Sequence, residues 1–351
     1  MAVDAMPDAA ESGKRLLVVI PALNEEATVG HVIRRVPLDI AGIAETLVVV
    51  VDDGSTDRTS EVSREAGARV VRHPEPQGVG SVFHRALDLV VEEAADVLVF
   101  IDADGQFNPR DIAKLVPPIL DGRADCVTAS RYHPDSPPMR QSLGRRLGNR
   151  GVARLVSILV GQRLYDVACG FRAYSAETAM HLNLTGRFTY TQEALLDISF
   201  KDGRVLEVPV RVRGTRKHGR SRVASSLFAY GRRAFMIMLR AYRDYRPLKF
   251  FGLSALVLFC LGAALSIFFF AHYIRTGRFS PHLWAGISAG FFFIMSAVSG
   301  LAGILADMLD RIRLNQEQML YHQKRARHAA RRAEIRRSAV GHQQSAGDAG
   351  G

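Results

Sequence analysis

Cysteine is scarce in this chain, with three residues in 351 at positions 126, 169 and 260. Their number and irregular spacing exclude a disulfide framework and a zinc cluster, and they fit a reducing compartment. No secretory signal is expected either, since the opening MAVDAMPDAAESG has no basic region followed by an apolar stretch. There is no internal repeat. Charge is absent from two long stretches, Phe250 to Tyr273 and Leu283 to Ala306, each 24 residues without Asp, Glu, Lys or Arg. About 20 apolar residues cross a hydrocarbon core. Both stretches are therefore expected to span a membrane as a hairpin, closed by the short linker IRTGRFSPH.

What is present divides the chain. Hydrophobic residues make up 48% of it while the mean hydropathy is +0.03, a mixture that suits a soluble domain joined to a greasy one. The net charge of +11 is gathered beside the spans: six basic residues precede the first (Arg232, Arg233, Arg240, Arg243, Arg246, Lys249), nine lie between Arg311 and Arg337, and only Arg275 and Arg278 occupy the linker. By the positive-inside rule the N-terminal domain and both termini face the cytoplasm, in a multi-pass protein of the cytoplasmic (inner) membrane. Anionic headgroups, rather than nucleic acid, are the expected partner of this charge. The expected divisions are a flexible N-terminus over 1–14, a catalytic domain over 15–222 and an amphipathic interfacial helix over 223–248. A membrane hairpin over 249–306, a basic cytoplasmic helix over 307–338 and a disordered tail over 339–351 follow.

From Lys14 onward the pattern alternates strand and helix. Leu16–Ile20, Thr46–Val51, Val70–Val71 and Val97–Ile101 read as buried strands, with helices over Thr28–Val36, Thr59–Ala66 and Ser81–Ala94, and a last pair of strands is expected over Val205–Val212. Such alternation implies a mostly parallel sheet with helices on both faces and ligands at the carboxyl ends of the strands.

Those ends are acidic. In DVLVFIDADGQFNP the apolar run stops at Asp102 and Asp104, two carboxylates expected to emerge together and to repel each other. Taken alone, "ADG" is ordinary turn chemistry. However, VDDGSTD places Asp52 and Asp53 at a second strand end, and VVIPALNEE places Asn24 and Glu25 at a third. Three strand ends on one rim form a site.

Here the sequence resembles the family 2 glycosyltransferases, and within them the polyprenyl-phosphate (dolichyl-phosphate mannose or glucose) synthases, over about Leu16 to Arg222; the two-span hairpin matches the bacterial lipid-linked members. The resemblance implies a GT-A fold and inverting, metal-dependent transfer of a hexose from a nucleotide sugar, UDP- or GDP-linked, to polyprenyl phosphate. Pro21, Asn24 and Glu25 match the P-x-x-N-E loop at base and ribose, with Leu23 where relatives often have tyrosine. Asp52 and Asp53 match the pair that recognises the base. Gly78 and Gly80, in PQGVGSVFHRAL, match a G-x-G helix start; as a dinucleotide fingerprint the stretch fails, because Phe83 replaces the third glycine. Asp102, Ala103 and Asp104 match the D-x-D motif, with Gln106 a further ligand, for Mg2+ or Mn2+. Arg131, Arg150 and Arg172 match cations near the acceptor phosphate, for which a planar guanidinium fork is suited.

Asp166, in YDVACGFRAYS, matches an acid assigned as base, and Asp104 is the other catalytic candidate; a buried ion pair between Asp166 and an arginine is the alternative reading. Glu193 stands where the family has a similar acid. Arg216, Lys217, Ser221 and Arg222, in RKHGRSR, match a loop that closes over the diphosphate, and His218 reads as a loop residue. Gly286 and Gly290 form a G-x-x-x-G pair, which leaves a homo-oligomer open. Competing readings are a glycosyltransferase acting on another membrane lipid and a catalytically silent scaffold that binds nucleotide sugars. A processive polysaccharide synthase would carry Q-x-x-R-W, whereas Gln192 is followed by EALL.

Overall fold

The computed structural model describes residues 13–138, 143–184, 190–213 and 246–348, together with positions 236, 239, 242 and 243. Seven strands form one sheet: β1 (Lys14–Ala22), β2 (Ile43–Asp52), β3 (Arg69–Arg72), β4 (Val97–Phe100), β5 (Cys126–Ser130), β6 (Arg172–Ser175) and β7 (Val205–Pro209). Their order is β3-β2-β1-β4-β6-β5-β7. All neighbours are parallel except β6, which runs antiparallel to both β4 and β5. Over 205–212, where a pair of strands was expected, β7 alone forms, and Val210 N–H extends its pairing to Ser130 O.

The apolar runs lack period-2 alternation because both faces of the sheet are covered, the usual state of a parallel sheet. On one face Leu16, Val18, Ile20, Val50 and Val99 pack beneath α1 (Val29–Ile33), α4 (Ile112–Leu115) and α5 (Pro117–Leu120). On the other, Phe100 meets Phe83 of α3 (Val79–Glu92) edge-on at 5.3 Å, and Phe83 stacks on Tyr190, the first residue of α8 (Tyr190–Phe200), at 4.3 Å. Each fully buried Val, Leu or Phe contributes about 1.5–3 kcal/mol to this core.

Register brings the working ends together. Ala22 pairs with Asp52, Asp53 N–H donates to Ala22 O at 2.9 Å, and Ile101 N–H donates to Val19 O at 3.1 Å, so β1, β2 and β4 finish at one edge. Because β6 is antiparallel, the residues that precede it, Cys169 to Phe171, arrive at that same edge, as does Arg131 after β5. The strand order reverses between β1 and β4, the place where open α/β sheets bind ligands.

The C-terminal helices form a second unit, residues 235–318. α9 (Pro247–Thr276) ends at Gly277 in the left-handed conformation, its N–H closing on Tyr273 O at 2.8 Å, and α10 (Leu283–Asp348) returns. Both are long and apolar enough to cross a membrane, and only 6% and 11% of their apolar windows are buried, unlike the core helix of a soluble protein. Serines join the pair: Ser254 and Ser299 share a hydroxyl hydrogen bond of 2.7 Å, and Ser296 Oγ donates to Ala255 O at 2.8 Å. Gly286 lies against the Phe269 ring, whereas a Cβ at Gly290 would meet open space.

The basic stretch 307–338 is not a helix of its own, and 339–348 are helical where a disordered tail was expected, since α10 runs unbroken to Asp348. Alanine and arginine, frequent over 319–338, are good helix formers that carry it past the apolar half, and it runs on through Gly341 and Gly347. From Met319 this helix groups with the α/β unit. There Tyr321 stacks on His181 at 3.6 Å, His328 bonds Ala95 O at 2.9 Å, Arg331 donates to Glu92 O at 3.1 Å and Arg332 pairs with Asp96. Of the interfacial helix expected over 223–248, positions 236, 239, 242 and 243 are helical and the last two residues open α9; apart from Arg246 the rest lies outside the described residues.

Candidate active site

The loop after β1 is built by side chains. Asn24 adopts φ 55°, a conformation asparagine tolerates. Its N–H donates to Ser55 Oγ at 2.9 Å and its Oδ1 accepts from Thr56 N at 2.8 Å. Glu25 N–H donates to Thr59 Oγ1 at 2.9 Å. Asn24 and Glu25 are thus tied to the chain that follows β2, while Pro21 lies within β1, opposite Val51. Asp52, the last residue of β2, is fully buried, accepting from Ser55 N at 2.8 Å and Ser60 Oγ at 2.5 Å. Asp53 accepts from Gln77 N, Gly78 N and His73 Nδ1 at 2.9, 2.8 and 2.9 Å. Both acids sit on the expected rim, yet their oxygens hold neighbouring loops in place. Gly78, at φ 93°, turns the chain into α3, and Gly80 is buried in that helix's first turn.

At the end of β4, Asp102 is half-buried, Ala103 is buried and Asp104 is 7% exposed. Asp104 Oδ1 accepts from Gln106 N at 3.0 Å, and Gln106 O accepts from Arg213 N at 3.0 Å, which ties the chain beyond β7 to this turn. Gly170 keeps the flank of Asp102 clear: a Cβ there would lie 3.4 Å from Asp102 Oδ2 and 2.9 Å from Tyr190 Oη. Among the described residues no cluster of three or more His, Cys, Asp or Glu side chains stands ready for a metal. As donor types, two carboxylates and one amide oxygen suit a hard cation that completes its shell with substrate oxygens. Tyr190 is a residue the sequence reading missed. Burial, and then the charge of Asp102, push its phenol well above the ordinary tyrosine range, so it stays protonated and donates to Gly170 O at 3.3 Å.

Gly170→Ala is accordingly expected to cost about 1–3 kcal/mol by overpacking. The loss should shrink in a Tyr190→Phe background, where the hydroxyl oxygen is gone. Thermal denaturation of the two single variants and the double variant checks this.

Across the edge, Asp166 is fully buried and grips Arg131: Nε to Oδ2 at 2.6 Å, Nη2 to Oδ1 at 2.8 Å and the Arg131 N–H to Oδ2 at 3.0 Å. The ion-pair alternative is what the geometry displays. Burial works against the charge on Arg131, yet Asp166 draws its pKa above the ordinary arginine value. The Cys169 thiol beside them is pushed up to about 12 by burial, too high for a nucleophile. Arg150 is exposed on α6 (Leu143–Val160), and Glu193 is half-buried in the first turn of α8.

Arg172 is a correction to the acceptor set. It is wholly buried, and its guanidinium donates to Thr128 Oγ1 at 3.3 Å, Thr191 O at 2.5 Å and Val167 O at 3.1 Å, so it braces the interior and does not reach the rim. Arg216, Lys217, His218, Ser221 and Arg222 lie outside the described residues. A second residue missed in the sequence is Glu207, whose Oε1 and Oε2 accept from Asp166 N and Tyr165 N, each at 2.8 Å. Its signal was an acid inside the apolar strand VLEVP.

A mostly parallel sheet whose carboxyl edge gathers a D-x-D turn, glycine loops and a held arginine is a GT-A nucleotide-sugar fold. Residues 17–182 match the model of Glycosyl transferase family 2. A dolichyl-phosphate hexose transferase of Haloferax volcanii is 33% identical over 56% of this chain and 82% of its own. An undecaprenyl-phosphate mannosyltransferase of Micrococcus luteus is 27% identical, also over 56% and 82%. Glucosyl-3-phosphoglycerate synthase from Mycobacterium tuberculosis, solved with Mn2+, UDP-glucose and phosphoglyceric acid, is 29% identical over 66% of this chain and 81% of that one, with TM-score 0.52. The chain belongs to glycosyl transferase family 2: it is a glycosyltransferase, and it resembles the polyprenyl-phosphate sugar synthases.

Proposed function

We propose that the enzyme transfers a hexose from a UDP- or GDP-sugar to polyprenyl phosphate, with inversion at the anomeric carbon, its α/β domain and both termini on the cytoplasmic side of the membrane. One observation carries this reading: the D-x-D turn after β4 and an arginine forked by Asp166 after β5 share one sheet edge, in a chain that also holds two membrane-length helices. The names of the dolichyl- and undecaprenyl-phosphate relatives support the acceptor. The basic flanks of the spans support the orientation.

In the reaction an oxygen of the acceptor phosphate attacks the anomeric carbon as the bond from that carbon to the nucleoside diphosphate breaks. A phosphate monoester has its second pKa at about 6, so its dianion is abundant at neutral pH and strong base assistance is unnecessary. Asp166 has both oxygens committed to Arg131 and therefore orients the arginine. The loop after β1, pinned to Ser55 and Thr59, and the turn at Gly78, pinned to Asp53, shape the donor side. Asp102, Asp104 and Gln106 would hold Mg2+ or Mn2+, which when bound supplies the charge that neutralises the departing diphosphate; the Mn2+ in the solved relative supports a divalent ion.

That same relative, solved with phosphoglyceric acid, favours a second reading in which the acceptor is a small soluble phosphate ester. The full chain in detergent should be offered labelled UDP-glucose, UDP-N-acetylglucosamine or GDP-mannose with Mn2+ or Mg2+, and either undecaprenyl phosphate or 3-phosphoglycerate. Label entering the organic phase only when undecaprenyl phosphate is present is the expected result. Label in a water-soluble product of 3-phosphoglycerate replaces it with the second reading, and no transfer from any donor to either acceptor sinks both.

A further inference from the structure

The segment Leu164–Asp166 belongs to no strand or helix, and its backbone groups are met by side chains. Leu164 N–H donates to Ser157 Oγ at 2.9 Å, and Asn149 Nδ2 donates to Tyr165 O at 3.1 Å, both partners coming from α6. The N–H groups of Tyr165 and Asp166 go to the two oxygens of one carboxylate, Glu207 of β7, at 2.8 Å each. Two consecutive N–H groups form a small anion-binding concavity, and a carboxylate is the side chain that offers two equivalent acceptors to it.

The arrangement has an electrostatic cost. Burial pushes the Glu207 carboxyl above the ordinary glutamate range, against the pull of the two N–H groups, and the charge of Asp166 pushes it in the same direction as burial. A neutral amide would avoid that cost but supply one acceptor only. β7 and β5 are in parallel register, Thr128 opposite Glu207 and Ser130 opposite Pro209, so Glu207 rises beside the strand that delivers Arg131. Asp166, fixed by its own N–H, forks the guanidinium of Arg131, whose side chain keeps 22% of its surface exposed.

We propose that Glu207 is a positioning residue for the acceptor phosphate: by clamping the Tyr165–Asp166 peptide it sets the carboxylate that aims Arg131 out of the edge. The inference rests on the acceptor reading proposed above. Glu207 touches no substrate itself, and its effect passes through Asp166 to Arg131.

The test is binding of undecaprenyl phosphate to the full chain in detergent, read by thermophoresis, alongside binding of UDP or GDP with Mn2+. Glu207→Gln should weaken undecaprenyl phosphate about tenfold, the size of one charge-assisted hydrogen bond, and leave nucleotide affinity within about twofold. In an Arg131→Lys background, where the fork is already lost, the same change should have almost no further effect, a dependence that a general loss of stability would not show. If Glu207→Gln does not fold, Glu207→Asp, whose shorter stem reaches at most one of the two N–H groups, takes its place with the same expectation. Weakening that persists in the Arg131→Lys background, or that falls equally on nucleotide, overturns the positioning role. Should Arg131→Lys weaken undecaprenyl phosphate while Glu207→Gln does not, the positioning role fails and the acceptor reading stands. Should neither variant alter undecaprenyl phosphate binding, Arg131 does not hold the acceptor phosphate and the inference fails with it, while the acceptor reading is decided by the transfer assay above.

Discussion

Asp104→Asn is expected to lower kcat by about 10²–10³-fold at saturating Mn2+, the range seen when one group that stabilises developing charge is removed. Asparagine keeps the volume and one oxygen but not the charge, and Asp104 is 7% exposed at the end of a buried strand, where water compensates poorly. The loss should appear in kcat, since the charge on the leaving diphosphate develops in the transition state and is weaker in the bound donor. Asp102→Asn should behave alike, and raising Mn2+ tenfold should not restore the rate of either. Initial rates of labelled sugar transfer check this; near-normal turnover by purified Asp104→Asn enzyme would remove the D-x-D turn from the chemistry.

Arg131→Ala is expected to destabilise the α/β unit by about 3–5 kcal/mol, because it strands a buried carboxylate. Asp166 has no exposed surface, whereas 22% of the Arg131 side chain is exposed. Asp166→Ala should therefore cost less than Arg131→Ala, since the freed guanidinium can turn towards water. The double variant should be more stable than the sum of the single losses predicts, by about 1–3 kcal/mol of coupling. For a unit of this size each kcal/mol lowers Tm by about 2–4 °C. Calorimetry of the three variants tests the asymmetry, and equal losses would mean that Asp166 is better solvated than its burial implies.

The contrast between these two pairs marks how far the residues could be read directly. Asp102 and Asp104 announced themselves because an apolar run stopped at charge, a local pattern. Asp166 and Arg131 are 35 residues apart, and their pairing depends on β6 running antiparallel between β4 and β5, so that both are delivered to one edge. Arg172 illustrates the opposite error. In the sequence it follows CGF beside Asp166 and looks like part of the same phosphate-binding group, yet one step along an emerging strand turned it inward, onto Thr128 Oγ1 and the carbonyls of Val167 and Thr191. A period-2 element sends successive side chains to opposite faces, so adjacency in sequence does not mean adjacency in the site.

By itself the sequence determined the α/β class, the acidic rim and the two membrane-length helices, because each is written in short-range hydrophobic periodicity and in runs without charge. The tertiary structure alone decided where the oxygens go: Asp52 and Asp53 to the loops beside them, Asp166 to Arg131, Glu207 to the backbone of residues 165 and 166. It also decided that α10 continues past its apolar half and that its last turns join the α/β unit. Buried hydrogen-bond partners must be chosen among groups that strand register brings within about 3 Å, and register is a property of the assembled sheet.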